Sequence, residues 1–524
     1  MIHKRLYFAS LIIVLMGSGL ASACSSLRQF TEREAPWPTE KWQTSSPEEQ
    51  GMDAEELNEM MALIDEGGVA IDSVLVIRNG YIVFEQYRNG YEQMSSHHIQ
   101  SVTKSFTSTL VGIAIKEGFL EDVDQRVVDF FPERTIANLD SRKQSMTLEH
   151  LLTMSEGMDW HEVDLPYTHP DNSLGQMWKK NDVIQHVLDQ AMVREPGESW
   201  NYNSGTSILL GNIVEQASGQ SVLSFARQYL FDPLGIGDLY WSKADGSHYH
   251  TDGGLYMMPR DMARLGYLML KDGVWDGKQI LPPDWVSTAS TAHYQTHGTY
   301  RYGYQWWMLP QEGIYAATGH YDQAIYVIPE ADMVVVFTAN IADEAIHPED
   351  GFLIRHILGA CNDLPPELTQ QTYADYGFSF DYGTEFSVRE LPANETDEFS
   401  QASGNVQFSY ISYPIEILNV WWDEALHGQD AEAILKQAFD SMSQEEQLAF
   451  LPGEAAKVWV DDKELQAQYF TLSTEGLSLS GMVGAWVCDQ ADRGYVLSYL
   501  TDAEIADSDL QDRFGEVFGS FSCQ

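Results

Sequence analysis

Ser101-Val102-Thr103-Lys104 pairs a hydroxyl with an amine at a spacing that puts both on one face of a helix. The residues that follow, Ser105 to Leu120, are mostly apolar or small, and Phe106 to Ile115 is so nearly all round. Such a stretch reads as a helix packed on every side. A lysine at the head of a buried helix loses hydration, which penalises its ammonium form. The neutral amine that remains can take a proton from the serine. That is the chemistry of an activated nucleophile without a histidine. Alone, the pattern is weak, since about one Ser-x-x-Lys arises by chance in a chain of this composition. An N-cap serine followed by a solvated lysine is the simpler account of the four residues.

A serine–lysine hydrolase needs a second proton carrier for the leaving group and for the attacking water. Trp200-Asn201-Tyr202-Asn203-Ser204-Gly205 follows a Pro196-Gly197 turn and precedes an apolar run, Ser207 to Val214. Tyr202 therefore stands on a loop at the head of a packed helix, although most tyrosines there serve as buried aromatics with a satisfied hydroxyl. An oxyanion site needs two backbone N–H groups. Ser101 at its helix N-terminus supplies one. Ala316-Ala317-Thr318-Gly319-His320, small residues before the Ile325 strand, suits the other, and an ordinary strand end with a glycine explains the same residues.

These groups need a frame. Ile71–Ile77 and Tyr81–Phe84 are β-branched runs separated by Asn79-Gly80, a strong hairpin signal. Ala324–Pro329 and Met333–Thr338 form a second hairpin around Glu330-Ala-Asp. Hairpins at both ends with helices between them predict an α+β fold. Its antiparallel sheet is flanked by helices and carries an inserted helical region. The spans are 46–361 for this domain and 362–404 for a polar, acidic, proline-bearing linker. Residues 405–524 then form a small C-terminal α+β domain of unknown role. Strands are expected there at Val406–Tyr413, Lys457–Val460, Ala467–Leu472, Leu477–Cys488 and Gly494–Leu500, and helices at Asp430–Phe439 and Leu510–Phe518.

The chain has 524 residues, 78 acidic and 30 basic, a formal charge of −48. That balance repels nucleic acid and anionic membranes and reads as a solvated acidic surface. Met1 to Ala23 has a basic start, an apolar stretch from Leu6 to Leu20 and a small-x-small cleavage signal, so 1–23 is expected to be a signal peptide and the protein exported. Residues 24–45 are an extended lead-in. Leu20-Ala-Ser-Ala-Cys24 resembles a bacterial lipobox with leucine one place further out. Lipidation of Cys24, with membrane attachment in the periplasm or envelope, and plain cleavage after Ala23 both stay open. An exported chain permits a disulfide between Cys488 and Cys523. No Cys/His cluster has zinc spacing, His97-His98 and His248-Tyr-His250 read as packing or surface histidines, and no cofactor is called for.

Ser-x-x-Lys, then Tyr202-Asn203-Ser204, then the Thr318-Gly319 strand resemble the serine β-lactamase and penicillin-binding-protein-like superfamily. Thr147–Gly157, Tyr229–Ile236, Gly253–Arg264, Leu270–Trp285 and Tyr302–Trp307 extend the likeness over about 45–360. It is closest to the branch of class C β-lactamases, family VIII-type esterases, D-aminopeptidases and aminohexanoate-oligomer hydrolases. The resemblance implies Ser101 as nucleophile, Lys104 as its base and Tyr202 as acid/base partner. It also implies a substrate-contacting role for Ser204, and Gly319 and His320 on the strand that supplies the second oxyanion donor.

One departure matters. Where β-lactamases carry a lysine or histidine for the substrate carboxylate, this chain has Ala317, and Gly319-His-Tyr-Asp-Gln323 replaces a glycine pair before glutamine. Without that cation a penicillin-like carboxylate binds less well. His320 and Arg301 are the cations left to compensate. The expected activity is therefore hydrolysis of a small ester or amide through an acyl-enzyme. The alternatives are a D-Ala-D-Ala peptidase or β-lactamase, and a non-catalytic cell-wall or peptide-binding protein, against which the intact trio argues. Trp160, Tyr167, Trp178, Tyr294 and Tyr300, in the loops about 158–180 and 286–300, fit a hydrophobic acyl pocket and ordinary packing equally well.

Overall fold

The computed structural model describes residues 37–523 except 297–298, 312, 343–348, 377, 392–402, 411–413, 424–425, 427, 443–448, 461–462, 475–476, 489–492 and 503–505. The expected signal peptide 1–23 and Cys24 lie outside the described residues.

Nine strands form the main sheet: β1 (Gln43–Thr44), β2 (Ile71–Arg78), β3 (Tyr81–Tyr87), β4 (Tyr294–Gln295), β5 (Arg301–Tyr302), β6 (Trp307–Met308), β7 (Tyr315–Gly319), β8 (Gln323–Ile328) and β9 (Met333–Ala339). Their spatial order is β1-β3-β2-β9-β8-β7-β6-β5-β4. Every pair is antiparallel except β1 on β3, where the end of the lead-in docks. Asn79 and Gly80 both take positive φ, 51° and 79°, as a tight hairpin with the strands' right-handed twist requires. Strands from both ends of the domain meet where β2 pairs with β9, Val74 opposite Phe337. The helical region lies between β3 and β4 in the chain, as the hairpin pattern predicts.

β2 and β9 are buried along their whole length because the sheet has a core on each face. Alternation divides them: Leu75, Ile77, Val334 and Val336 join one cluster, Val74, Val76, Val335 and Phe337 the other. The first cluster holds α2 (Val102–Lys116), α3 (Ser204–Ser218) and α4 (Pro259–Leu270), and the second holds α1 (Ala54–Glu66). α2 is buried from Val102 through Ala114. Phe106, Leu110, Val111 and Ile113 each contribute about 1.5–3 kcal/mol of burial. Several of its hydroxyls are satisfied inside: Thr107 Oγ1 donates to Thr251 O at 2.7 Å and Ser105 Oγ to Gln305 O at 2.6 Å.

The C-terminal region is more strand-rich than the sequence suggests. Much of 362–404, read as linker, is β10 (Gln370–Asp375), β11 (Phe378–Gly383) and β12 (Ser387–Leu391). The period-two pattern Phe378-Ser-Phe380-Asp-Tyr382 is short and set among polar residues, so composition hid it. Phe378 and Phe380 are buried in the C-terminal core. β12 opens a seven-stranded antiparallel sheet with β13 (Gly404–Tyr410), β14 (Glu416–Trp422), β15 (Ala449–Val460), β16 (Lys463–Thr474), β17 (Leu477–Cys488) and β18 (Arg493–Thr501). Two helices accompany it, α5 (Ala431–Met442) and α6 (Asp507–Val517). Cys488 and Cys523 are joined as a disulfide, and Cys361 is a free thiol. Arg355 ties this region to the hydrolase-like part, pairing with Glu385 at 3.2 Å and with Glu416, its guanidinium 4.3 Å from the Tyr410 ring.

Candidate active site

Ser101 is the residue before the first turn of α2, with φ −67° and ψ −8°, and its hydroxyl caps nothing. The hydroxyl instead accepts from Lys104 Nζ at 2.9 Å. The same amine donates to Asp252 O at 2.7 Å and lies 5.1 Å from the centre of the Tyr202 ring. Lys104 is buried. Burial pulls its pKa below the ordinary lysine range, with Glu162 and Asp252 opposing the shift. The capping account of Ser101 and the solvated account of Lys104 both fail on this geometry.

Tyr202 and Ser204 flank Asn203 at the head of α3. Asn203 Oδ1 accepts from Gly205 N at 2.8 Å, so the asparagine is the cap and frees its neighbours for other partners. Tyr202 is buried against Trp307, ring centres 5.8 Å apart. Burial pushes its phenol far above the usual range, and Glu162 and Asp252 add to that, while a hydrogen bond to Ser101 acts the other way. The phenol stays protonated at neutral pH. Ser204 is buried, and Glu162 holds it twice: Ser204 Oγ donates at 2.6 Å and Ser204 N at 2.8 Å.

Gly319 ends β7 beside Ser101. A Cβ there would fall 2.6 Å from Ile99 O and 3.0 Å from Ser101 N, so only glycine lets the strand come this close. The turn that follows carries His320, Tyr321 and Asp322, the last two at φ 60° and 62°. These are the left-handed conformations a glycine pair would adopt freely, here borne by side chains. Gln323 Nε2 braces the turn, donating to Tyr321 O at 2.9 Å and Ala339 O at 2.6 Å.

A serine–lysine–tyrosine cluster, its lysine and tyrosine buried, beside a close-approaching glycine strand coincides with a match of residues 49–358 to the Beta-lactamase family. The chain belongs to that family. It is a serine hydrolase. It is 25% identical over 298 residues to a "6-aminohexanoate-dimer hydrolase" of Paenarthrobacter ureafaciens, covering 52% of this chain and 73% of that one. It is 22% identical over 316 residues to "Protein flp" of Staphylococcus aureus strain COL, covering 54% of this chain and 62% of that protein. The solved structure "Putative 6-aminohexanoate-dimer hydrolase from Bacillus anthracis" shares the fold, with TM-score 0.53 and 21% identity over 62% of this chain and 89% of that one. The family match ends before the C-terminal region.

Within this β-lactamase-family site, the geometry brings Ser101, Lys104, Tyr202, Ser204 and Gly319 together, with His320 on the adjoining turn. Ala317 is buried in the core beside Ile325, leaving no cation at that point. Arg301 does not replace it, since its guanidinium donates to Leu309 O at 3.3 Å and borders a cavity with Gln311 and Tyr315. Tyr167 packs edge-on against His320 at 5.2 Å, and Trp178 against His250 at 6.1 Å. Tyr300 packs on the second core and edge-on at 6.1 Å against Trp307, the ring that stacks on Tyr202.

His97 is hydrogen-bonded to Asp72 at 2.8 Å and His98 to Gly253 O at 2.6 Å. His248 shares Asp245 with three backbone N–H groups, those of Val183, Ser247 and His248 itself, and lies near Asp182, whose carboxylate pairs with Arg134. Asp182 and Asp245 have both carboxylate oxygens committed to protein partners, so the three read as a loop staple. Two residues escaped sequence reasoning: Glu156 and Glu162, both fully buried carboxylates. The signal was faint: Glu156 lies among the mostly apolar or small residues Leu151–Met158 and Glu162 just beyond Trp160, with Asp159 between them.

Proposed function

We propose that this protein cleaves a small ester or amide through an acyl-enzyme on Ser101. The observation that carries this is the uncapped Ser101 hydroxyl at 2.9 Å from a buried amine. Lys104, held toward its neutral form by burial, takes the serine proton as Oγ bonds the acyl carbon. The developing oxyanion is received by the N–H groups of Ser101 and His320. Tyr202, kept a phenol, gives its proton to the leaving group and recovers one from Lys104. Water then repeats the sequence on the ester of Ser101 and releases the acid.

The relative named as a 6-aminohexanoate-dimer hydrolase supports an amide within the substrate class. The absence of a cation at Ala317 weighs against penicillin-like carboxylates. The test is a panel of p-nitrophenyl acetate and butyrate, nitrocefin, a D-amino-acid amide and labelled penicillin, run on wild type and Ser101→Ala. Ester or amide turnover that Ser101→Ala loses supports the reading. Nitrocefin or penicillin as the best substrate replaces it with the β-lactamase or peptidase alternative. No turnover together with no fluorophosphonate labelling sinks it.

Export is also proposed, on the pattern of residues 1–23. The mass of the mature N-terminus separates a lipidated Cys24 from cleavage after Ala23.

A further inference from the structure

Glu162 is an unusual choice at the centre of an apolar site. Trp160 Nε1 and Ser204 N both donate to its Oε2 at 2.8 Å, and Ser204 Oγ donates to Oε1 at 2.6 Å. All three donors belong to the corner that carries Tyr202 or to the loop packed on it. The same loop places Glu156 below the corner, where Oε1 accepts from Asn203 Nδ2 at 2.7 Å. Its other oxygen is buried with no hydrogen-bond partner among the described residues. Consecutive residues of the Tyr202–Ser204 segment are thus gripped by two fully buried carboxylates of one loop.

Burying a carboxylate is costly, and neutral acceptors would satisfy the same N–H and O–H groups. A carboxylate adds charge. The buried cation that feels it is Lys104, whose ammonium form Glu162 favours; burial pushes the Glu162 carboxyl up, and Lys104 with the Ser204 and Trp160 hydrogen bonds pulls it back toward the anion. We propose that Glu162 is a positioning residue of the reaction, the buried counter-charge for the ammonium formed when Lys104 takes the Ser101 proton, while Glu156 holds Asn203 and the corner that carries Tyr202. This rests on the Ser101 acyl-enzyme reading.

The step balances. The Ser101 Oγ–H proton goes to Lys104 Nζ, the freed Oγ pair bonds the acyl carbon, and the carbonyl π pair moves onto oxygen. A neutral amine beside a carboxylate becomes an ammonium beside a carboxylate, with the new negative charge held at the backbone N–H groups. The groups in contact with Lys104 are Ser101 Oγ, Asp252 through its backbone oxygen and the Tyr202 ring, and the charges of Glu162 and Asp252 act on it from beyond that contact. His250 acts at one remove, bonded to the Asp252 carboxylate at 3.1 Å.

The test is the rate of fluorophosphonate labelling of Ser101 against pH, which reports activation of the serine without knowledge of the substrate. Wild type, Glu162→Gln, Glu162→Asp and Glu156→Gln are compared, with thermal unfolding as the check on folding. Removing the charge lowers the Lys104 pKa, so the low-pH limb of Glu162→Gln moves to lower pH by about one unit and its plateau falls roughly tenfold. Glu162→Asp keeps the charge but withdraws it, so its limb lies between the two. It carries the test by itself if Glu162→Gln does not fold. Glu156→Gln lowers the plateau without moving the limb. A Glu162→Gln or Glu162→Asp limb superimposed on wild type overturns the counter-charge, whatever happens to the plateau. Absence of labelling in wild type overturns the acyl-enzyme reading itself and this inference with it.

Discussion

α2 and α3 are both 15 residues long, both buried for most of their length, and both carry a serine at the N-terminal end. Their serines have opposite partners. Ser101 faces an amine, and Ser204 faces a carboxylate. A carboxylate only accepts, so it consumes the Ser204 proton in a fixed bond and leaves that hydroxyl a structural tie. An amine donates when charged and accepts when neutral, so it can hold the Ser101 hydroxyl and then take its proton. The capping duty that would occupy a serine is met at α3 by Asn203, and at α2 it is left unfilled. Position at a helix head does not make a nucleophile. What separates the two serines is the charge of the residue facing each.

The largest expected effect comes from truncating the two serines in parallel. Ser101→Ala loses ester hydrolysis by roughly 10³-fold or more, whereas Ser204→Ala keeps measurable turnover and loses about 1–3 kcal/mol of stability through the stranded Glu162 oxygen. Steady-state rates and urea unfolding read both, and equal rate losses would break the contrast.

Tyr202→Phe comes next, with kcat falling roughly 10²-fold. Its midpoint of unfolding stays near wild type, because the ring keeps its stack on Trp307. A large drop in unfolding temperature would make the hydroxyl structural.

A smaller effect sharpens the role of the amine. Burial lowers the Lys104 pKa, and the proposed base acts in its neutral form, so kcat/KM is expected to rise with pH along a limb below 10.5, the ordinary lysine value. A profile that rises only near 10.5 would contradict the buried, neutral base.

The smallest effect concerns Glu156, whose carboxyl burial pushes up from 4.5 to about 7. A raised carboxyl pKa stabilises the fold fully below 4.5, and that contribution is lost as pH climbs toward about 7. Glu156→Gln is therefore expected to flatten the fall in unfolding temperature across that window, as calorimetry at several pH values would register.

Much of the frame was legible. Asn79-Gly80 and the paired β-branched runs announce the two hairpins because turn chemistry and period-two alternation are local. The all-round apolar character of 105–115 announces α2 for the same reason. The strands β10–β12 were not legible, since acidic and proline-rich flanks masked a pattern that needs Phe378 and Phe380 to meet the C-terminal core before it makes sense. β14 was missed as well, its alternating Glu416–Trp422 burial showing only once β13 and β18 flank it. Glu156 and Glu162 were invisible as site residues because a carboxylate reads as surface until its burial is known.

The sequence by itself determined which residue types are present in order: a serine and lysine on one helical face, a tyrosine before a second helix, and a glycine at a strand end. Helical spacing and strand alternation are properties of the local chain, so the sequence specifies them directly. Only the tertiary structure decided that the Ser101 hydroxyl caps nothing, that Lys104 is buried so that its pKa is pulled down, and that Gly319 lies against the Ser101 N–H. It also decided that Glu162 brings a charge to the site. Burial and charge–charge contact arise between segments far apart in the chain, and no local pattern encodes which of them will meet.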